Sequence, residues 1–518
     1  MRANLTYYVD VTVCVMVVTS CVHMREKNDR MRDEFPLIIQ GGMGVGVSNW
    51  RLAQAVSRRG QLGVVSGTAL DQVLVRRLQD GDAGGHMRRA LAAFPFPAMA
   101  ERIVKEYFIA GGRADGEPYC VAPMQSQHLS RESTELCIVG NFVEVFLARE
   151  GHANPVGMNY LEKIQTPHLP SIYGAMLAGI SYIIMGAGIP LRIPGVLDRL
   201  AMHQPVEYAL TVTGAREGDD VLMHFDPREY SAGEMVPLHR PRFLAIVSSH
   251  TLAATMVKKA NGMVNGLVLE MNHAGGHNAP PRGKMQFTDA GEPVYGDRDR
   301  IDMDKVRELG VPFWLAGGYG SAEGLRSALQ QGATGVQVGT AFEFADESGL
   351  DTTLKARLLA KAITGTAKVV TDAVASPTGF PFKLAQLEGT GSDPEVAAMR
   401  PRICDLGFLR EAYRMEDGSI GYRCPSEPLS LYRFKGGVPE NTVGRRCLCN
   451  GLMANIGLAQ IRNGNRTEPA LVTAGDDLCH VSDFLQPGCN HYGVAEVLDR
   501  ILAGAVECDE EEAAVAVG

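Results

Sequence analysis

The sequence predicts an eight-stranded (β/α)8 TIM barrel with helical insertions and a C-terminal extension, and three observations carry that prediction. Short runs rich in Val, Ile and Leu recur eight times between residues 36 and 339. Several are apolar on both alternations, as strands covered on both faces require, and amphipathic helical stretches separate them. A chain of 518 residues with 45% hydrophobic and 21% charged residues can also bury a large core, with material for two to four domains. An open doubly wound sheet is the competing arrangement, because counting strands does not show closure.

The elements follow in order. PLIIQ (36–40) opens the series, and a helix begins near Ser48, which reads as its N-cap, and stops at Gly60. LGVVS (62–66), PVGMN (155–159), ISYIIM (180–185), RFLAIVS (242–248), GLVLE (266–270), PFWLA (312–316) and TGVQVG (334–339) supply the other seven strands. A helix is predicted over SAEGLRSALQQG (321–332). Two insertions interrupt the rhythm: residues 69–154, helical in pattern, and about 201–240, where VEYALTV and DDVLMHF pair as a hairpin. The barrel thus covers 36–385, between an N-terminal extension at 1–35 and a Cys-, Gly- and Arg-rich C-terminal extension at 386–518. The acidic tail ECDEEEAAVAVG reads as disordered.

Charge and cysteine usage exclude several function classes. A net charge of −9, with no dense basic run interleaved with aromatics, argues against nucleic acid as a partner. Eleven cysteines without regular spacing read as reduced thiols, which points to the cytoplasm. Cys404, Cys424, Cys447 and Cys449 could converge on zinc or an iron-sulfur centre, but C-x-C with remote partners is a weak metal signature, and buried inert thiols are the favoured reading, with no metal site. The apolar run Val11–Val22 is too short to span a bilayer and reads as part of an extension, with Met24 or Met31 as candidate starts.

In a barrel the chemistry sits where strands end, so the residues after each run carry the functional argument. The seventh strand ends in Ala316-Gly317-Gly318-Tyr319-Gly320 and the eighth in Gly339-Thr340, each leading into a predicted helix. Glycines let backbone approach an anion, and helix starts offer N–H groups, so Gly317, Gly318, Gly339 and Thr340 predict a phosphate cradle. The cluster Gly41-Gly42-Met43-Gly44-Val45-Gly46 fails the G-x-G-x-x-G spacing in every register; counted from Gly42, the last glycine position holds Val47. Gly42 and Met43 suit a flat ring lying against main chain instead.

The stretch EMNHAGGHNAPP (270–281) sets His273 and His277 four residues apart. Two glycines between them, two prolines after them and the absence of an H-E-x-x-H glutamate argue against a zinc pair. His277, following the glycines, is the candidate base or hydrogen-bond donor, and His273 reads as satisfied by solvent.

IIQGGMG at the first strand, AGGH after the sixth, LAGGYG after the seventh and GVQVGTAF at the eighth resemble the nitronate monooxygenase (2-nitropropane dioxygenase-like) flavoproteins over roughly Pro36 to Leu384. AGGH and the GG/GT pair also occur in the related flavin-dependent enoyl-acyl carrier protein reductases. The resemblance implies FMN, with its phosphate on Gly317, Gly318, Gly339 and Thr340. It implies the ring beside Gly42 and Met43, with Asn159, Glu270 and Gly276 as further contacts and His277 as the catalytic histidine. The family reads Gln-Gly-x-Glu before AGGH, where this chain has Glu270-Met271-Asn272-His273. The implied reaction oxidises alkyl nitronates with molecular oxygen to a carbonyl compound and nitrite. Its partners would be a small-molecule substrate and oxygen, with no membrane and with a homo-oligomer left open. An NAD(P)H-dependent flavin reductase of enoyl or quinone substrates and a non-catalytic flavin-binding scaffold are the alternatives.

Overall fold

The computed structural model describes residues 35–216, 218, 220–231, 235–462 and 466–517. The apolar run at 11–22 and the two candidate start methionines lie outside the described residues. Among the described residues no helix is long and apolar enough to cross a membrane.

Eight parallel strands form one sheet: β1 (Ile38–Gln40), β2 (Gly63–Ser66), β3 (Val156–Leu161), β4 (Tyr182–Gly186), β5 (Arg242–Val247), β6 (Gly266–Glu270), β7 (Phe313–Ala316) and β8 (Gly335–Val338). All eight fall on the predicted runs. From β2 to β8 each pairs with the next in chain order, and β8 returns to β1 through Ile38↔Val336, Ile39↔Gln337 and Gln40↔Val338. Between β1 and β2 the Gln40 N–H reaches Leu62 O at 2.9 Å and the Leu62 N–H reaches Ile38 O at 3.0 Å. The sheet is therefore a closed barrel, and the open doubly wound alternative is excluded.

The barrel interior is filled by Ile39, Leu62, Val64, Tyr182, Ile184, Leu244, Val268, Trp314 and Ala316, all buried. Trp314 is the largest, and its neighbour Gly266 makes room for it: a methyl group there would lie 3.0 Å from the indole. The indole N–H donates to Pro36 O at 2.8 Å, and the Phe35 ring packs edge-on against it. Chemistry is thereby left to the opposite, C-terminal mouth.

The helix after β1 spans Trp50–Arg58, and its N-cap is Asn49, whose side chain accepts the Leu52 N–H at 3.0 Å. The expected cap, Ser48, instead binds the glycine loop, as described below. Both residue types cap helices; Asn49 wins because Ser48 has a better use for its hydroxyl. The helix expected over 321–332 spans Ala322–Gln330, with Ser321 as its N-cap.

The first insertion holds four helices, of which Arg131–Arg149 is the longest. In the second, Val206–Ala209 and Leu222–Phe225 pair antiparallel as the sequence predicts. Beyond the barrel, strands Val369–Asp372 and Phe382–Ala385 pair and run past the C-terminal mouth, where the Lys383 N–H donates to Gly276 O at 3.0 Å. Segment 471–477 continues across it, with the Asp476 N–H donating to His273 O at 3.0 Å. The last helix runs Val494–Val517, so the acidic tail expected to be disordered is helical to Val517. Its Glu and Ala residues have high helix propensity, which charge alone does not reveal.

Candidate active site

One cavity at the C-terminal mouth is lined by Gly42, Met43, Asn159, Glu270, Gly276, His277, Gly317, Gly318, Gly339 and Thr340. These are the ten residues singled out from the sequence; the closed barrel brings them together from strands far apart in the chain.

The end of the cavity at β1 is built around Ser48. Its hydroxyl donates to Gly41 O at 2.9 Å and accepts from the Met43 N–H at 2.9 Å and the Gln40 amide at 2.8 Å. The glycine loop is thus pinned to β1. Asn159, on β3, donates through its amide to Gly42 O at 3.2 Å. A methyl group on Gly42 would lie 2.3 Å from Asn159 Cβ, so no larger residue fits. Among the described residues Asn159 Oδ1 is buried with no hydrogen-bond partner, a state that native structures rarely tolerate without a ligand or water.

At the other end, Gly317 and Gly318 have φ of 89° and 85°, a left-handed conformation that favours glycine. The Gly317 backbone packs so closely on the loop after β6 that a methyl group would lie 2.9 Å from Met271 O. Gly339 and Thr340 open a single helical turn, Thr340–Glu343, shorter than the helix expected there. The Thr340 hydroxyl accepts the Gly475 N–H at 2.9 Å.

The loop after β6 carries the titratable groups. His277 Nε2 lies 2.6 Å from Ser376 Oγ, and its ring meets Phe382 edge-on at 4.8 Å between centroids. Burial, with a smaller effect of Lys163, lowers the imidazole pKa to about 4, so His277 is neutral at physiological pH. Ser376 Oγ also accepts the Thr378 N–H at 3.2 Å. It also lies 2.8 Å from Thr378 Oγ1; where the threonine donates that bond, the Ser376 hydrogen is available to Nε2 and the imidazole proton sits on Nδ1. Among the described residues Nδ1 has no hydrogen-bond partner.

His273 departs from expectation. It is not satisfied by solvent: Nδ1 lies 2.9 Å from Asp476 Oδ2, and Asp476 Oδ1 lies 2.6 Å from the buried Lys383 ammonium. The bond to Asp476 raises the His273 pKa. Glu270, at the end of β6, is pushed up to about 7 by burial alone.

Sequence reasoning missed the wall contributed by the C-terminal extension, which adds Phe408, Leu409, Cys449, Thr473, Gly475 and Asp477 to the cavity. A signal existed: ALVTAGDD (470–477) is an apolar run ending in a glycine and two acids, like the barrel strand ends. Cys449 is half-buried, and burial, with smaller effects of Cys447 and Cys404, raises its thiol pKa. Cys404 and Cys424 hydrogen-bond to each other, which lowers the former and raises the latter. Among the described residues no group of three or more His, Cys, Asp or Glu is placed to hold a metal ion.

The cavity can hold a flat heteroaromatic ring against the Gly42–Met43 backbone, with Asn159 Oδ1 as an acceptor for a ring N–H. A phosphorylated tail can reach the glycines after β7 and β8. The residues therefore fit a flavin.

Residues 228–376 match the family model described as nitronate monooxygenase. That segment contains β5 to β8, both histidines and the glycines after β7 and β8. Among curated proteins, a probable nitronate monooxygenase from Staphylococcus saprophyticus is 28% identical over 111 residues, which is 21% of this chain and 30% of that protein. A 5-hydroxy-7a-methyl-1-oxo-octahydro-1H-indene-4-carboxyl-CoA dehydrogenase from Mycobacterium tuberculosis is 28% identical over 124 residues, which is 24% of this chain and 30% of that one. The chain thus spans less than a third of either relative. Among solved structures, FabK from Thermotoga maritima has 14% identity and a TM-score of 0.44, covering 93% of this chain and 96% of its own. A nitroalkane oxidase from Streptomyces ansochromogenes has 16% identity and a TM-score of 0.45, covering 92% and 98%.

Proposed function

We propose that this chain, whose residues 228–376 match the nitronate monooxygenase family model, is an FMN-dependent oxidoreductase that oxidises alkyl nitronates with oxygen to a carbonyl compound and nitrite. One observation carries the reading: the glycine loops, Asn159 and His277 line a single cavity. When bound, FMN would accept electrons from the nitronate and deliver them to oxygen.

The chain's own residues bind and orient. Gly317, Gly318, Gly339 and Thr340 would hold the phosphate, and Gly42, Met43, Asn159, Glu270 and Gly276 would surround the ring. His277, neutral and with its proton on Nδ1, would donate that hydrogen bond to a nitro oxygen of the bound anion. A group with a pKa of about 4 is too weak a base to deprotonate a nitroalkane efficiently, so the substrate is read as the preformed nitronate. Phe382, Phe408, Leu409 and Leu452 exclude water around it.

The test is an absorption spectrum of the purified protein, followed by anaerobic mixing with a nitronate and, separately, with NADPH. Bleaching of the flavin by the nitronate alone is the expected result. Bleaching by NADPH alone would assign a flavin reductase of enoyl or quinone substrates, and a flavin inert to both would leave only a binding scaffold.

A further inference from the structure

The phosphate end of the cavity contains an acid where a cation would be expected. Asp477 lines the cavity beside Gly318, Gly339 and Thr340, and its two oxygens are located by their neighbours. A methyl group on Gly475 would lie 2.6 Å from Oδ1 and 2.8 Å from the Thr340 hydroxyl; one on Gly320 would lie 3.3 Å from Oδ2. The carboxyl thus bridges the loops after β7 and β8, the place where the proposed function, on which this inference rests, seats the phosphate.

The Thr340 hydroxyl bonded to it and His480 both favour its charged form, but burial outweighs them. On its own segment are Asp476 and His480; from the loop after β6 comes His273; from the turn after β8 comes buried Glu343; and Tyr492 packs behind. Lys383 is bonded to Asp476 at 2.6 Å, and Lys355 donates to Ala345 O at 2.6 Å. Ionised, Asp477 would repel a phosphate dianion at close range in a desolvated site. Protonated, it is a hydrogen-bond donor to one.

We propose that Asp477 is a ligand of the cofactor's phosphate that binds as the carboxylic acid, donating its proton to a phosphate oxygen. Above the pKa of Asp477 in the flavin-free protein, each FMN that binds then brings one proton in from solvent, and no other bond is made or broken. Burial already raises the Asp477 pKa, in the direction this requires. Above that pKa the dissociation constant for FMN should rise about tenfold per pH unit.

The experiment titrates flavin-free protein with FMN and with riboflavin, which lacks the phosphate, at pH 6.5 and 8.5, following quenching of flavin fluorescence. In the native protein FMN should weaken by roughly tenfold to a hundredfold across that range. In Asp477→Asn, whose amide donates at every pH, the change should shrink at least threefold, while riboflavin should bind both proteins alike. Calorimetry of FMN binding in two buffers of different ionisation enthalpy reads the proton directly in the native protein. Uptake near one proton is expected, and uptake near zero overturns the proposal even if the variant does not fold. FMN binding with the same pH dependence in Asp477→Asn overturns this inference alone; failure of both flavins to bind overturns the flavin reading beneath it.

Discussion

His277 Nε2 and Ser376 Oγ are 2.6 Å apart, and this contact leaves Nδ1 as the ring nitrogen without a partner among the described residues. With Nε2 accepting from the serine, the donor available to an anion is Nδ1–H. His277→Ala should keep its flavin and lose roughly 10²- to 10⁴-fold in turnover. Because the role is donation and not proton abstraction, a preformed nitronate should be no better tolerated than the neutral nitroalkane. Steady-state rates on both substrate forms check this; rescue by the nitronate would reassign His277 as a base.

Ser376→Ala leaves the ring but removes the bond that fixes its tautomer. Turnover should fall by about 10-fold to 100-fold, the scale of losing an orienting partner, with flavin content unchanged. Equal activity in the serine variant would mean that Phe382 alone orients the imidazole.

The two ends of the cofactor site should fail separately. Gly318→Asp puts a carboxylate into the phosphate cradle and should give protein that purifies without FMN. Gly42→Ala places a methyl group 2.3 Å from Asn159 Cβ and should weaken retention of riboflavin as much as that of FMN. Flavin-to-protein absorbance ratios and riboflavin titrations distinguish the two.

Glu270 carries the pH dependence that His277 does not. Its folded pKa, about 7, lies above the ordinary carboxylate value, so the folded state holds the proton more tightly than the unfolded one. Its contribution to stability is fully present below the unfolded pKa, falls as pH rises from there to about 7, and is constant beyond. Glu270→Gln should remove that decline, on the order of 1 kcal/mol for each pH unit between the unfolded and folded pKa, and with it any inflection near pH 7 in kcat/KM. Denaturant melts at pH 5 and pH 8 make the comparison.

His273 obeys the opposite logic for a base. Its pKa is raised by Asp476, so the pair stabilises the fold below the histidine's unfolded pKa and the effect is lost as pH rises through the folded one. Both side chains are about half exposed, at 58% and 43%, so solvent screening holds the effect to no more than about 1 kcal/mol. Asp476→Asn should move the His273 midpoint down in an NMR titration. An unmoved midpoint would show that the pair does not persist in solution.

The strands and the glycine loops are legible in the sequence because each is a local signal: a β-branched run has its own periodicity, and a Gly-Gly turn its own backbone demand. The partners of the site residues are not. Asp476 sits 203 residues from His273, and Ser376 sits 99 residues from His277, separations across which no periodicity reaches. Ser48 misleads as a cap for a related reason, since a hydroxyl beside a helix start and one reaching back to a loop look identical in sequence. The acidic tail misleads because its net charge argues for disorder while its helix propensity argues for order.

The bond from the Gly475 N–H to the Thr340 hydroxyl has a meaning for the order in which the protein is made. Thr340 completes the barrel's eighth strand end, but the residue that closes over it lies 135 positions later. At synthesis rates of roughly 5–20 residues per second, a nascent chain carries the eighth strand for roughly 7 to 27 s before the residue that closes over it is made. Throughout that interval the glycine loops lack Thr473, Gly475 and Asp477.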